Sequence, residues 1–339
     1  MKILIIGANG FIGSNLIEQI LSSKPDWHIT GLDLSNHNIT PFLSNPQLEF
    51  VQGDMTKMGD WIREQIKTTD VVLPLAAIAT PATYVQDPLR IFSLDFEANL
   101  VIVRQCVEFN KRVIFPSTSE VYGMCQDNEF DEEKSSLVLG PIHKERWIYS
   151  CSKQLIDRLV YAYGKHHELP YTLFRPFNWI GPKQDNIMNN KTGGSRVVVQ
   201  FLGNIARGEN IQLVDGGQQR RSFIYIQDGI DALIKIIENK DHCADNRIFN
   251  IGNPHNVMSI RELAETLVNI AKKYPHYAER ANNIKLIDVP AAEYYGSGYQ
   301  DVQARVPAIW RAQTELHWQP KTDIFTTLSK TADYYFKED

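Results

Sequence analysis

The order of apolar runs along the chain predicts an α/β fold. Short, almost continuously apolar segments alternate with longer ones whose apolar residues recur every three to four positions, and a glycine-rich turn closes the first run. Together these features predict a Rossmann-type doubly wound parallel sheet, followed by a smaller mixed α+β domain. Lys2 to Gly7, His28 to Asp33, Gln47 to Val51, Asp70 to Leu75 and Lys111 to Pro116 read as strands covered on both faces. Phe11 to Leu21, Lys57 to Ile66, Pro88 to Phe109 and Trp147 to His167 read as the intervening helices. Tyr171 to Arg175 adds a strand. The segment from Phe177 to Gly194, rich in Asn, Gly, Lys and Pro, reads as a functional loop or a domain crossover. Helices are expected next at Ser195 to Arg207, Gln227 to Asn239 and Ser259 to Lys272, with strands at Asn210 to Val214, Arg247 to Ile251 and Ile284 to Val289. The expected division is a sheet domain over 1–176 with a returning segment at about 222–251, and a second domain over 177–221 and 252–339.

The 339 residues fit this two-domain reading, at about 150 residues per domain. A formal charge of -5 leaves no global positive field for a polyanion, so nucleic-acid binding is not expected. Cys106, Cys125, Cys151 and Cys243 are scattered, with no CxxC pair, which points to a reduced chain without structural zinc. Met1 leads directly into the first apolar run, so no secretory signal is expected. The longest uncharged stretch, Val71 to Gln86, contains two prolines and is too short to span a bilayer. A cytoplasmic location without a membrane span is the expectation.

Gly7-Ala8-Asn9-Gly10-Phe11-Ile12-Gly13 sits between the first strand and the first helix. Gly7 permits a tight turn, Gly10 lets the backbone approach a pyrophosphate, and Gly13 lets helix and sheet pack closely. Asp33, 20 positions beyond Gly13, ends the second strand, where a carboxylate accepts from an adenosine ribose and repels a 2′-phosphate. Leu34 to His37 offers no Arg or Lys to compensate, so NAD is favoured over NADP. Asn9, Phe11, Ile12, Met55, Leu75 and Ala76 complete the expected cofactor contacts. Asp54 reads as a partner for the adenine amino group, with a loop cap for the segment from Thr56 to Trp61 as the alternative.

Tyr149 and Lys153, four apart at the start of a helix, share one face. There the ammonium is expected to lower the phenol pKa from about 10, making Tyr149 a base for an alcohol proton while hydride leaves to NAD. The alternative is a surface pair. Thr118, in the run from Phe115 to Gly123 at the carboxyl end of the fifth strand, is placed to bond the reacting hydroxyl, unless that run is only a Ser/Thr turn. Asp215 to Arg221 offers backbone amides and the guanidiniums of Arg220 and Arg221 to a diphosphate, with Arg196 as a further candidate and a solvated turn as the alternative.

These motifs together resemble the extended short-chain dehydrogenases/reductases that act on nucleotide sugars. The segments from Leu75 to Pro81, Pro116 to Cys125, Arg146 to Ser150, Phe174 to Asn178 and Tyr299 to Val302 more closely resemble the ArnA-type UDP-glucuronic acid decarboxylases, over essentially the whole chain. The resemblance implies NAD-dependent oxidation at C4 and loss of CO2, giving a UDP-4-keto-pentose and NADH. It implies substrate contacts from Ala79, Tyr84, Thr118, Ser119, Arg146, Asn178, Gln212, Asp215, Gln219, Arg221 and Tyr299. It also implies an acid/base role for Glu120 and a proton-donor role for Arg305. A guanidinium pKa above 12 makes proton loss costly, so Arg305 reads better as an orienter of the carboxylate or of a water. The bifunctional relatives carry a formyltransferase domain ahead of this one, and formyl transfer is not assigned to this chain. Alternatives are a UDP-xylose or UDP-apiose synthase that returns the hydride, then a 4-epimerase, then an NAD-binding scaffold without turnover. A homodimer through the two long helices is what the superfamily implies.

Overall fold

The structure is a computed structural model that describes residues 1–189, 191 and 193–337. Positions 190 and 192 of the expected loop, and 338 and 339 of the expected second domain, lie outside the described residues. The strands are β1 (Lys2–Ile6), β2 (His28–Asp33), β3 (Leu48–Gln52), β4 (Val71–Pro74), β5 (Arg112–Pro116), β6 (Tyr171–Pro176) and β7 (Trp179–Ile180). They continue with β8 (Ile211–Val214), β9 (Arg220–Ser222), β10 (Ile224–Tyr225), β11 (Arg247–Ile251), β12 (Val257–Ser259), β13 (Leu286–Val289) and β14 (Ala304–Arg305). The helices are α1 (Phe11–Ser23), α2 (Gly59–Thr68), α3 (Pro81–Gln86), α4 (Pro88–Phe92), α5 (Asn99–Glu108), α6 (Trp147–His167) and α7 (Val197–Arg207). After them come α8 (Ile226–Glu238), α9 (Ile260–Ala271), α10 (Pro275–Asn283), α11 (Ala291–Tyr294), α12 (Trp310–Glu315) and α13 (Ile324–Lys337).

Seven parallel strands form the main sheet in the order β11-β6-β5-β4-β1-β2-β3. Strand alternation divides the core. Ile3 and Ile5 of β1 pack with α1 and α8, whereas Leu4 and Ile6 pack on the opposite face with α2, α5 and α6. A further apolar cluster joins α7, β8, α9, α10 and α13. The chain leaves β1 for β2 on one side and later returns to β4 on the other. A crevice therefore opens between the carboxyl ends of β1 and β4, the place where open α/β sheets take their ligands.

Two expectations change. The helix expected from Pro88 to Phe109 is interrupted by a wide π-helical turn, Ser93–Ala98, which joins α4 to α5. The helices α3, α10, α11, α12 and α13 were not expected; α13 buries Thr327 and Thr331 beside Leu328 and Ala332, which dilutes its apolar period. Among the described residues no helix is long and apolar enough to cross a membrane.

Candidate active site

The glycine turn closes over the crevice for steric reasons. Gly7 has φ +94°, and a Cβ there would stand 2.7 Å from the Ala76 nitrogen; at Gly13 a Cβ would stand 2.3 Å from the Gly7 oxygen. Helix α1 starts at Gly10 with no side-chain cap and no acidic residue in its first turn, leaving its first N–H groups for an anion. A dinucleotide pyrophosphate fits this cradle. The Asp33 carboxylate braces it, accepting from the Asn9 N–H at 2.9 Å and the Ser35 N–H at 3.3 Å.

A cleft of ≈ 660 Å³ runs from this turn to the far side of β5. Gly7, Gly10, Phe11, Ile12, Gly13, Leu75, Ala79 and Tyr84 line it, as do Thr118, Ser119, Glu120, Tyr149 and Lys153. So do Asn178, Arg196, Gln212, Gln219, Arg221, Tyr299 and Arg305. Other expected contacts are not among these lining residues. The Asn9 amide is spent on Ser35 and on the Asn38 N–H, tying the turn to the loop after β2. Asp54 accepts from the Thr56 hydroxyl at 2.7 Å and the Thr56 N–H at 3.0 Å, and these bonds hold its carboxyl below the usual range; it forms the loop cap. Met55 and Ala76 pack against the core. Asp215, at φ +47°, faces α11 and accepts from the Ala291 N–H. Arg220 and Arg221 are consecutive in β9 and so point to opposite sides. Arg220 is exposed beside Glu262, while buried Arg221 reaches Asp301, so only one of the two expected guanidiniums faces the cleft.

Helix α6 turns a polar face inward, burying Tyr149, Ser150, Ser152, Lys153 and Asp157. The Tyr149 ring stacks on Tyr84, centroids 4.6 Å apart. Burial pushes its phenol up, with the Asp95 and Glu120 charges adding and the Thr118 hydroxyl opposing. The expected lowering by Lys153 is not found. The Lys153 ammonium lies 5.9 Å from the Tyr149 ring centroid and is held by the Pro116 carbonyl at 3.2 Å and by Asp95 at 3.5 Å. Thr118 caps the short turn Ser119–Tyr122; its oxygen accepts from the Glu120 N–H, which leaves its own proton free to donate.

At the inner end, the Glu120 carboxylate is gripped by Arg146 and Arg305 on separate oxygens. Burial opposes its charge, but Arg146, Arg305 and Arg221 prevail and hold the carboxyl at about 2. Arg146 is 1% exposed, sandwiched by Trp147 and Tyr299, and donates to the Gln300 carbonyl. It therefore supports Glu120 from behind the cleft wall instead of lining it. Arg196 lines the cleft while pairing with Asp185. Asp301, Asp185 and Asp95 are site carboxylates not singled out from sequence. The signal for Asp95 was its position four after Ile91 and four before Asn99, inside the buried stripe of a helix.

The family model of the NAD-dependent epimerases/dehydratases matches residues 3–252. The PbgP3 protein of Burkholderia pseudomallei is similar over 99% of this chain and 96% of its own, at 49% identity and a TM-score of 0.90. At 22% identity, the fold is shared by the UDP-glucuronic acid 4-epimerase of Bacillus cereus, crystallised with UDP-glucuronic acid and NAD (100% of both chains, TM-score 0.81). It is also shared, at 22% identity, by the dTDP-glucose 4,6-dehydratase of Bacillus anthracis with NAD (100% of this chain and 97% of that one, TM-score 0.80). The glycine cradle, the cleft beside β5 and the match over most of the chain agree: this protein belongs to the NAD-dependent epimerase/dehydratase family.

Proposed function

We propose that the protein oxidises UDP-glucuronic acid at C4 and decarboxylates it, yielding a UDP-4-keto-pentose, CO2 and NADH. The observation that carries this reading is the guanidinium of Arg305, lining the same cleft as Tyr149 and Thr118 and paired with Glu120. The local charges are three guanidiniums, Arg146, Arg221 and Arg305, against two carboxylates, Glu120 and Asp301. That positive surplus suits a substrate carboxylate, which a neutral hexose lacks.

Bound NAD supplies the hydride acceptor. In its phenolate form, Tyr149 takes the proton of the 4-hydroxyl, which Thr118 positions. The oxidised sugar is a β-keto acid, so loss of CO2 leaves an enolate with its charge on the 4-oxygen instead of an isolated carbanion. Tyr149, now protonated, and Thr118 donate to that oxygen in a buried setting. Arg305 orients the carboxylate, and Glu120, fully ionised at neutral pH, keeps Arg305 in place. Arg196, which also lines the cleft, is the cation available to the diphosphate.

The test is incubation with UDP-glucuronate and excess NAD, following absorbance at 340 nm and identifying the product by mass spectrometry. Stoichiometric NADH with a UDP-4-keto-pentose is expected. A UDP-pentose without NADH accumulation means that the hydride returns to the product, and UDP-galacturonate means epimerisation; either outcome overturns the oxidative reading.

A further inference from the structure

We propose that Asp95 is a positioning residue that sets the charge of the Tyr149–Lys153 pair, holding the Lys153 ammonium and opposing its field at the phenol. Asp95 is fully buried in the wide π-helical turn between α4 and α5, a local departure from α-helix of the kind that often accompanies function. One carboxylate oxygen accepts from the Ile78 N–H at 3.1 Å, which fixes the side chain against the segment after β4. The other faces Lys153 at 3.5 Å and has no hydrogen-bond partner among the described residues. A buried carboxylate with a free oxygen is costly unless a cation answers it, and Lys153 is the cation placed to do so.

The consequence follows from electrostatics. A lone ammonium 5.9 Å from the ring would favour a phenolate, but an ammonium tied to a carboxylate is a dipole, whose field falls off faster. Other charged groups do not substitute for Asp95. On α6, Asp157 is taken by Ser117 and Arg175. Glu120, from the turn after β5, is taken by Arg146 and Arg305. Tyr84 on α3 stacks on Tyr149, and Arg196 ahead of α7 pairs with Asp185. Of the negative charges acting on Tyr149, Asp95 is the larger and Glu120 the smaller, so neutralising Asp95 leaves the Lys153 charge to act on the phenol against Glu120 alone.

The test is Asp95→Asn, which keeps an oxygen for the Ile78 N–H; Asp95→Ser is the second variant if the first misfolds. Tyr149 ionisation is read between pH 6 and 11 as the 295 nm absorbance that Tyr149→Phe removes in each background, with and without NAD. Removing a neighbouring negative charge favours phenolate, so the midpoint should fall by about one pH unit or more. The acid limb of kcat/KM for NADH formation should move down with it. Ionisation of the variant below the wild-type midpoint, or below pH 11 where the wild type shows none, supports the proposal. Equal midpoints, no ionisation in either protein, or a loss of kcat with an unmoved limb overturns it and leaves Asp95 a structural partner only. The inference rests on Tyr149 being the base of C4 oxidation. If UDP-glucuronate is not turned over, that reading fails on its own, while the titration still decides the role of Asp95.

Discussion

Two networks of buried charge start from the segment that follows β5, and their carboxylates are shifted in opposite directions. In the cleft, Glu120 and Asp301 face Arg146, Arg221 and Arg305. Burial works against both carboxylates, yet the surrounding guanidiniums hold each below its ordinary range. From the cleft wall inward, a second chain runs from Ser117 through Asp157, Arg175, Tyr122 and Asn250 to Glu132. There burial outweighs the opposing contacts, so Asp157 is raised, Glu132 is pushed up to about 6 and Tyr122 to about 12. The difference lies in the ratio of cations to anions and in access. The rear network, with Arg175 as its central cation, is built to hold strands β5, β6 and β11 together. Among the described residues, the cleft network carries a surplus of positive charge beside an open cavity.

The largest effect that would sharpen this contrast is expected from Tyr149→Phe. It should lower turnover by about 10² to 10⁴-fold, as loss of a general base does, while the melting temperature stays near that of the wild type. A variant that keeps most activity would remove Tyr149 from the chemistry. Arg175→Met should do the opposite. It leaves Asp157 buried without its cation and should cost about 3–5 kcal/mol of stability in a denaturant titration, with turnover per folded molecule within a few-fold of wild type. A specific loss of turnover at unchanged stability would make the two networks one functional unit.

Arg305→Lys keeps the charge and loses the planar fork. It should retain part of the C4 oxidation while CO2 release falls roughly 10²-fold, about 3 kcal/mol. Equal losses of NADH and CO2 would deny Arg305 a separate role in the second step. The smallest effect concerns Glu132. Its folded pKa, about 6, lies above its ordinary value of 4.5, so the unfolded chain ionises first and stability declines as pH rises from about 4.5 to about 6. Glu132→Gln should remove about 2 kcal/mol of that decline, read from melts at pH 4.5 and 7. An unchanged slope would assign the pH dependence to another group.

Much of the fold was legible because its signals are local. The bounds of β2 and α6 agree with those read from periodicity, and the glycine turn is dictated by contacts within a few residues and by one approach to β4. The motif pair Tyr149 and Lys153 was legible for the same reason: spacing of four places two side chains on one helix face wherever the helix lies. What spacing cannot specify is which charges meet across the fold. Glu120 and Arg305 are 185 positions apart, and Arg146 reaches the same carboxylate from another element. Arg220 and Arg221 look equivalent as neighbours, and only the direction of β9 sends one to solvent and the other to the cleft. The buried stripe marks Asp95 as an inward-facing acid, but only the fold sets it against Lys153 of α6. Sequence by itself determined the sheet, the cofactor cradle and the reactive residue types, because backbone geometry and side-chain period are local properties. Tertiary structure alone decided the charge state of the site, because a buried carboxylate takes its ionisation from whichever cations folding brings against it.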